Sequence, residues 1–253
     1  MLLVVAWAAG AAAGDGELRW SEPVRVAPRA VAAADGAIAL ADGRTVHLAA
    51  VELPALLQPE SASAERARAA LAELLDGAEV RLGLAAAAAI PDRYGRLAAQ
   101  LRRGADGLWV QGELLRRGLA RVRTTPDHRA LAAGMLALED EARTAGRGLW
   151  ADPAYAVRRH DEAAAHVGSF QIVAGRVARV AETRGYIYLN FDDRDRRRDF
   201  TVRVRRGDLR ALGRDGLDPA ALAGRRVRVR GWLLEAGGPL VELSHGEQIE
   251  VLE

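Results

Sequence analysis

The stretch Asp42–Ala55, DGRTVHLAAVELPA, decides how the chain is read. Asp42-Gly43 is a two-residue hairpin signal, since a type I′ turn needs positive φ at both central positions. A strand is expected to leave it through Val46, Leu48 and Val51 and to end at Glu52-Leu53-Pro54-Ala55. Upstream, Val24, Val26 and Val31 lead to Asp35-Gly36, followed by Ile38 and Leu40, a pattern of short strands separated by turns.

Downstream, a helix is expected over 60–75, with Ser61 or Ser63 as its N-cap and Asp76-Gly77 as its stop. Ala67, Leu71, Leu74 and Leu75 form its apolar face. A fourth strand is expected over 80–90, a turn at Pro91–Arg96, a fifth strand over 97–102, and helices over 110–117 and 129–144. Five strands with a helix after the third, then closing helices, describe an OB-type five-stranded Greek-key barrel with three helices. The class is mainly β with helices, α+β.

Four fragments of this half carry a family resemblance. They are Asp42-Gly43-Arg44 with Val46, the turn Asp92–Arg96 (DRYGR), Glu113–Val122 (ELLRRGLARV), and Glu141-Ala142-Arg143 with Gly146–Trp150 (GRGLW). In order and spacing they resemble the thermonuclease (staphylococcal-nuclease-like, TNase-like) family over Val24–Pro153. That resemblance implies calcium held by carboxylates, a glutamate that activates water, and two arginines that stabilise charge on the phosphate. Carried across by position, one arginine is Arg96 and the other falls on His47. One metal carboxylate falls on Ala37, the second on Glu52, the ligand beside it on Leu53, and the general base on Ala55.

A methyl group neither binds calcium nor accepts a proton, so the resemblance implies a degenerate site and a nucleic-acid- or protein-binding module. The alternative is an active metal-dependent phosphodiesterase rebuilt on Arg96, Glu52 and His47, with Asp35 as a further metal candidate. Calcium is its cofactor only in that case. Each residue also has a structural reading: Arg96 pairing with Glu52, His47 as an outward-facing strand residue, and Asp35, Tyr94 and Gly95 as turn residues.

Composition narrows the chemistry further. The 253 residues include no cysteine, which excludes disulfides, thiol catalysis and thiolate metal sites. All 36 basic residues are arginine, and the net charge is only +2. The pI near 9.5 follows from that small excess, because almost nothing titrates between neutral pH and the tyrosines. Leu2–Ala13 is a short apolar run ending in three alanines, without a basic n-region. It reads as a signal-peptide core, giving a leader over 1–20, a periplasmic or secreted protein and a candidate cell-envelope partner. No later segment is long and apolar enough to span a membrane.

The first domain is therefore drawn over 21–153, a linker over 154–167 and a second OB-like domain over 168–253. In the linker, His160 and His166 are too isolated to suggest a metal. Strands are expected over 170–180, 186–191, 200–204, 227–234 and 240–251, with a helical turn within 208–222. Alternation sends Ile187, Leu189, Phe191, Phe200, Val202 and Val204 inward. Tyr186, Tyr188, Asn190, Thr201, Arg203 and Arg205 then lie outside, on the face where OB folds stack single-stranded nucleic acid. Tyr94, Tyr186, Tyr188, Arg203 and Arg205 are the nucleic-acid-binding candidates. The plainer reading is a solvated face near Asp192, Asp193, Asp195 and Asp199, which would repel phosphate.

Overall fold

The computed structural model describes residues 18–28, 36–54, 61–85, 90–191 and 199–252. Asp35, Ala55, Asp192, Asp193, Asp195 and all but the last three residues of the expected leader lie outside them. The chain is mixed α+β and divides into two compact units. The first runs to Val122 and includes Asp127–Gly148; the second joins Arg123–Pro126 to Leu149–Glu253.

The first unit contains β1 (Leu18–Trp20), β2 (Val24–Arg25), β3 (Ile38–Ala39), β4 (Thr45–Leu48), β5 (Val51–Glu52), α1 (Ala62–Leu75), β6 (Glu79–Ala85), β7 (Arg96–Arg103), α2 (Val110–Arg116), β8 (Arg121–Val122) and α3 (Ala132–Thr144). One sheet has the order β1-β6-β7-β4-β3, with β2 also on β6, and β5 pairs with β8 in a second. β4 runs parallel to β7, and a bridge between Val26 and Leu40 joins the chain after β2 to the chain after β3. Residues 18–20, inside the expected leader, pair with β6 and belong to this unit.

Local chemistry explains these boundaries. Asp42-Gly43 turns the chain, but among the described residues Gly43 has positive φ (87°) and Asp42 does not. Gly43 N–H reaches the Leu40 carbonyl and Leu40 N–H the Arg44 carbonyl, so this is a three-residue loop with a glycine bulge rather than type I′. The strand expected to run from Val46 to Val51 breaks at Ala49-Ala50, where Ala50 has φ 61°. α1 starts at Ser61, whose Oγ accepts the Ala64 N–H at 3.2 Å, and stops before Gly77 at φ 65°. Val46, Leu48, Leu97 and Ala99 from the parallel pair meet Leu71 and Leu75 of α1 in the core. Each large buried side chain there contributes about 1.5–3 kcal/mol.

The second unit contains β9 (Arg158–Arg159), β10 (Phe170–Arg176), β11 (Arg179–Glu182), β12 (Tyr186–Asn190), β13 (Thr201–Arg205), α4 (Leu209–Arg214), β14 (Arg226–Trp232), β15 (Leu234–Glu235), β16 (Pro239–Leu243) and β17 (Ile249–Val251). Its sheets have the orders β17-β14-β10-β9 and β11-β12-β13-β16-β15, with β13 parallel to β16. The segment 154–167, expected as a linker, carries regular structure: β9 pairs with β10, and a 3-10 helix spans His160–His166. The three longest expected strands are each divided, at Val177-Ala178, at Leu233 and over Ser244–Gln248. Ile187, Leu189, Phe191, Phe200, Val202 and Val204 are all buried in one core. Among the described residues no helix is long and apolar enough to cross a membrane.

Candidate functional site

Val46 and Leu48 face the core, so the same alternation turns Thr45 and His47 outward, half-buried. On β7, Leu97 and Ala99 are buried and Arg96 and Ala98 look the other way. The parallel register sets Thr45 beside Arg96 and His47 beside Ala98. His47 and Arg96 therefore share one outer face, two positions apart along the pair.

Arg96 is held by its own turn rather than by Glu52, the partner expected from sequence. Its Nε donates to Asp92 Oδ2 at 2.9 Å, while Asp92 Oδ1 accepts the backbone N–H of Tyr94 at 2.8 Å and of Arg96 at 3.0 Å. The Arg96 N–H, then the Tyr94 N–H and the Arg96 guanidinium, keep the Asp92 carboxyl below its ordinary range. Tyr94 is 64% exposed, with the guanidinium carbons of Arg93 and Arg96 at 4.7 and 4.9 Å from its ring centre. Asp92 was not among the candidate site residues, although an aspartate ahead of Tyr-Gly-Arg is a recognisable turn signal.

Glu52 points into the protein. β5 pairs antiparallel with β8, which sets Glu52 opposite Arg121. Arg121 Nη2 donates to Glu52 Oε2 at 2.6 Å, and the two side chains are 3% and 2% exposed. Glu139 of α3, also buried, accepts the Val122 N–H at 2.7 Å and fixes the same strand. Leu53 is buried in the core, and a Cβ added at Gly36 would stand 3.1 Å from its Cδ1. The leucine thus lies against Gly36, and the following residue, Ala37, is itself buried.

These donors do not fit calcium, which takes six to eight oxygens. Glu52, the carboxylate on the metal position, is bound by a guanidinium, buried Glu139 is engaged by the Val122 N–H, and the side chains of Ala37 and Leu53 carry no oxygen. Among the described residues no group of three His, Asp or Glu side chains could hold a metal. Asp35 lies outside those residues.

The remaining candidates belong to the second unit and do come together there. Tyr186 stands in register with Arg205, and Tyr188 with Arg203. The two tyrosine rings are 6.0 Å apart, and the Arg203 guanidinium carbon lies 5.0 Å over the Tyr186 ring. Asp199, expected as a repelling surface charge, is buried and accepts the Phe191 N–H at 3.0 Å. Sequence reasoning missed Glu242, which stands in register with Arg203 on β16 and pairs with both arginines. Its signal was the single acid within Leu240-Val241-Glu242-Leu243.

No curated protein matches the chain. The family model described as staphylococcal nuclease homologue matches residues 45–152, a span that takes in β4, Glu52, the Arg96 turn and Arg121. The chain carries a staphylococcal-nuclease-like domain.

Proposed function

We propose that this protein of the nuclease family does not hydrolyse phosphodiesters and works as a nucleic-acid-binding module. The observation that carries the first half is the packing of Leu53 against Gly36, next to a buried Ala37, with Glu52 already bound to Arg121. Loss of a positioned base alone costs roughly 10²–10⁴ in rate, and Ala55 stands where the family keeps that base. Binding is supported by the exposed Tyr94 between Arg93 and Arg96 and by the tyrosine–arginine face of the second unit. We read both units as five-stranded OB-type barrels, on the strength of the parallel pairs β4–β7 and β13–β16. We also read the protein as periplasmic or secreted, from the apolar run Leu2–Ala13.

The test is a nuclease assay on single- and double-stranded DNA and RNA, with and without calcium. The native chain should leave substrate intact, and Ala37→Asp with Ala55→Glu should move it toward cleavage. Calcium-dependent cleavage by the native chain, abolished by Arg96→Ala, would overturn the reading. A second reading, a phosphodiesterase rebuilt on Arg96, Glu52 and His47, draws support from the outer face that Arg96 and His47 share. It requires Glu52 to leave Arg121, and calorimetry with calcium would register the ion it needs.

A further inference from the structure

We infer that the outer face of β12 and β13 is a site for single-stranded nucleic acid in which Glu242 occupies the place of a phosphate. The inference rests on the binding half of the proposed function and is independent of whether the first unit cleaves.

The face follows from alternation. Ile187 and Leu189 are buried, so Tyr186 and Tyr188 stand on the opposite side, and Val202 and Val204 do the same for Arg203 and Arg205. The two rings, 6.0 Å apart and tilted by 48°, offer π-faces to successive bases. Stacking of this kind tolerates any base. Arg203 rests over Tyr186, which keeps its guanidinium ordered against the ring.

Glu242 supplies the argument for phosphate. One carboxylate oxygen contacts Arg203 Nη2 and the other lies 3.5 Å from Arg205 Nη2. Two acceptor oxygens shared between two guanidinium groups is the pattern that the unesterified oxygens of a phosphodiester present. The arginines are not sealed: their side chains are 25% and 64% exposed, and that of Glu242 is 35% exposed. At the neighbouring hairpin Arg206 is neutralised by Glu182. Once a phosphate displaces Glu242, Arg203 and Arg205 are left to it, and the tyrosines select a strand with bases over a bare polyanion or an acidic peptide.

The experiment is fluorescence anisotropy of the full chain with labelled oligothymidine and oligouridine of about 15 nucleotides, in EDTA so that hydrolysis does not intervene. Glu242→Gln should tighten binding by roughly fivefold, the upper effect of one partly exposed ion pair. Tyr186→Leu with Tyr188→Leu, which keeps bulk but removes the rings, should weaken it about tenfold or more. Arg205→Ala should reduce the slope of log affinity against log salt by about 0.7. Unchanged affinity in the leucine pair with a native circular-dichroism spectrum, or weaker binding by Glu242→Gln, overturns the site. If the leucine pair does not fold, the Arg205 and Glu242 variants decide alone, since both side chains are accessible. Binding that survives unaltered in every variant sinks this surface only, whereas no binding by the native chain sinks the binding reading as well.

Discussion

Glu52 and Arg121 meet at 2.6 Å with almost no access to water. Each charge costs several kcal/mol to bury, and the attraction between them offsets this only while both remain. Arg121→Ala should therefore destabilise the first unit by about 3–5 kcal/mol, and Arg121→Lys by clearly less, since a cation is kept. Denaturant unfolding of the two variants tests this, and equal losses would mean that charge pairing is not what holds the strand. At this scale the sequence was partly legible. That the side chains of Ala37 and Leu53 lack donor oxygens needs no structure. The partner of Glu52 lies 69 residues away and is chosen by the β5–β8 register, which no local pattern announces.

Two hairpins of the first unit use one device. In both, an aspartate accepts the N–H and Nε–H of an arginine while a glycine just before that arginine takes positive φ: Asp42-Gly43-Arg44, and Asp92 with Gly95-Arg96. Gly95 has φ 75° with open space around a would-be Cβ, so Gly95→Ala costs backbone strain alone, about 1–2 kcal/mol. A drop in melting temperature together with altered Tyr94 and Arg96 resonances would register it. The turn after β7 adds a pH dependence. The Arg103 guanidinium, then the Leu108 N–H, push the Asp106 carboxyl down from 3.8 to about 2. Because the folded value is the lower one, its contribution is complete above about pH 4 and is lost as pH falls through about 2. Carboxyl NMR titration should find that low value, and Arg103→Ala should return it toward 3.8. Element ends were legible where they are local, as at Ser61 and Gly77. The break at Ala49-Ala50 had only a faint signal, the change of parity between Leu48 and Val51, and a strand reading passes over it.

At the scale of the whole chain, membership of a unit does not follow sequence order. Arg123–Pro126 lies between β8 and α3 of the first unit yet belongs to the second. The sequence motif Gly146–Trp150 marks an end of the first domain near residue 153, whereas this earlier segment reaches a contact 121 residues away. Thr124 Oγ1 stands 2.8 Å from Nε2 of His245, and both residues are buried. Ser244 Oγ donates to Gln248 at 3.0 Å, so it accepts from His245 Nδ1–H, and Nε2 is then the acceptor for the Thr124 hydroxyl. Thr124→Val removes that donor at nearly constant volume and should cost about 1–3 kcal/mol. Native-state hydrogen exchange locates the loss. The amides of β14 and β16 should lose protection while those of β6 and β7 keep theirs, even though Thr124 lies closer in sequence to β7. Loss confined to β6 and β7 would return the segment to the first unit and leave His245 without a role in holding it.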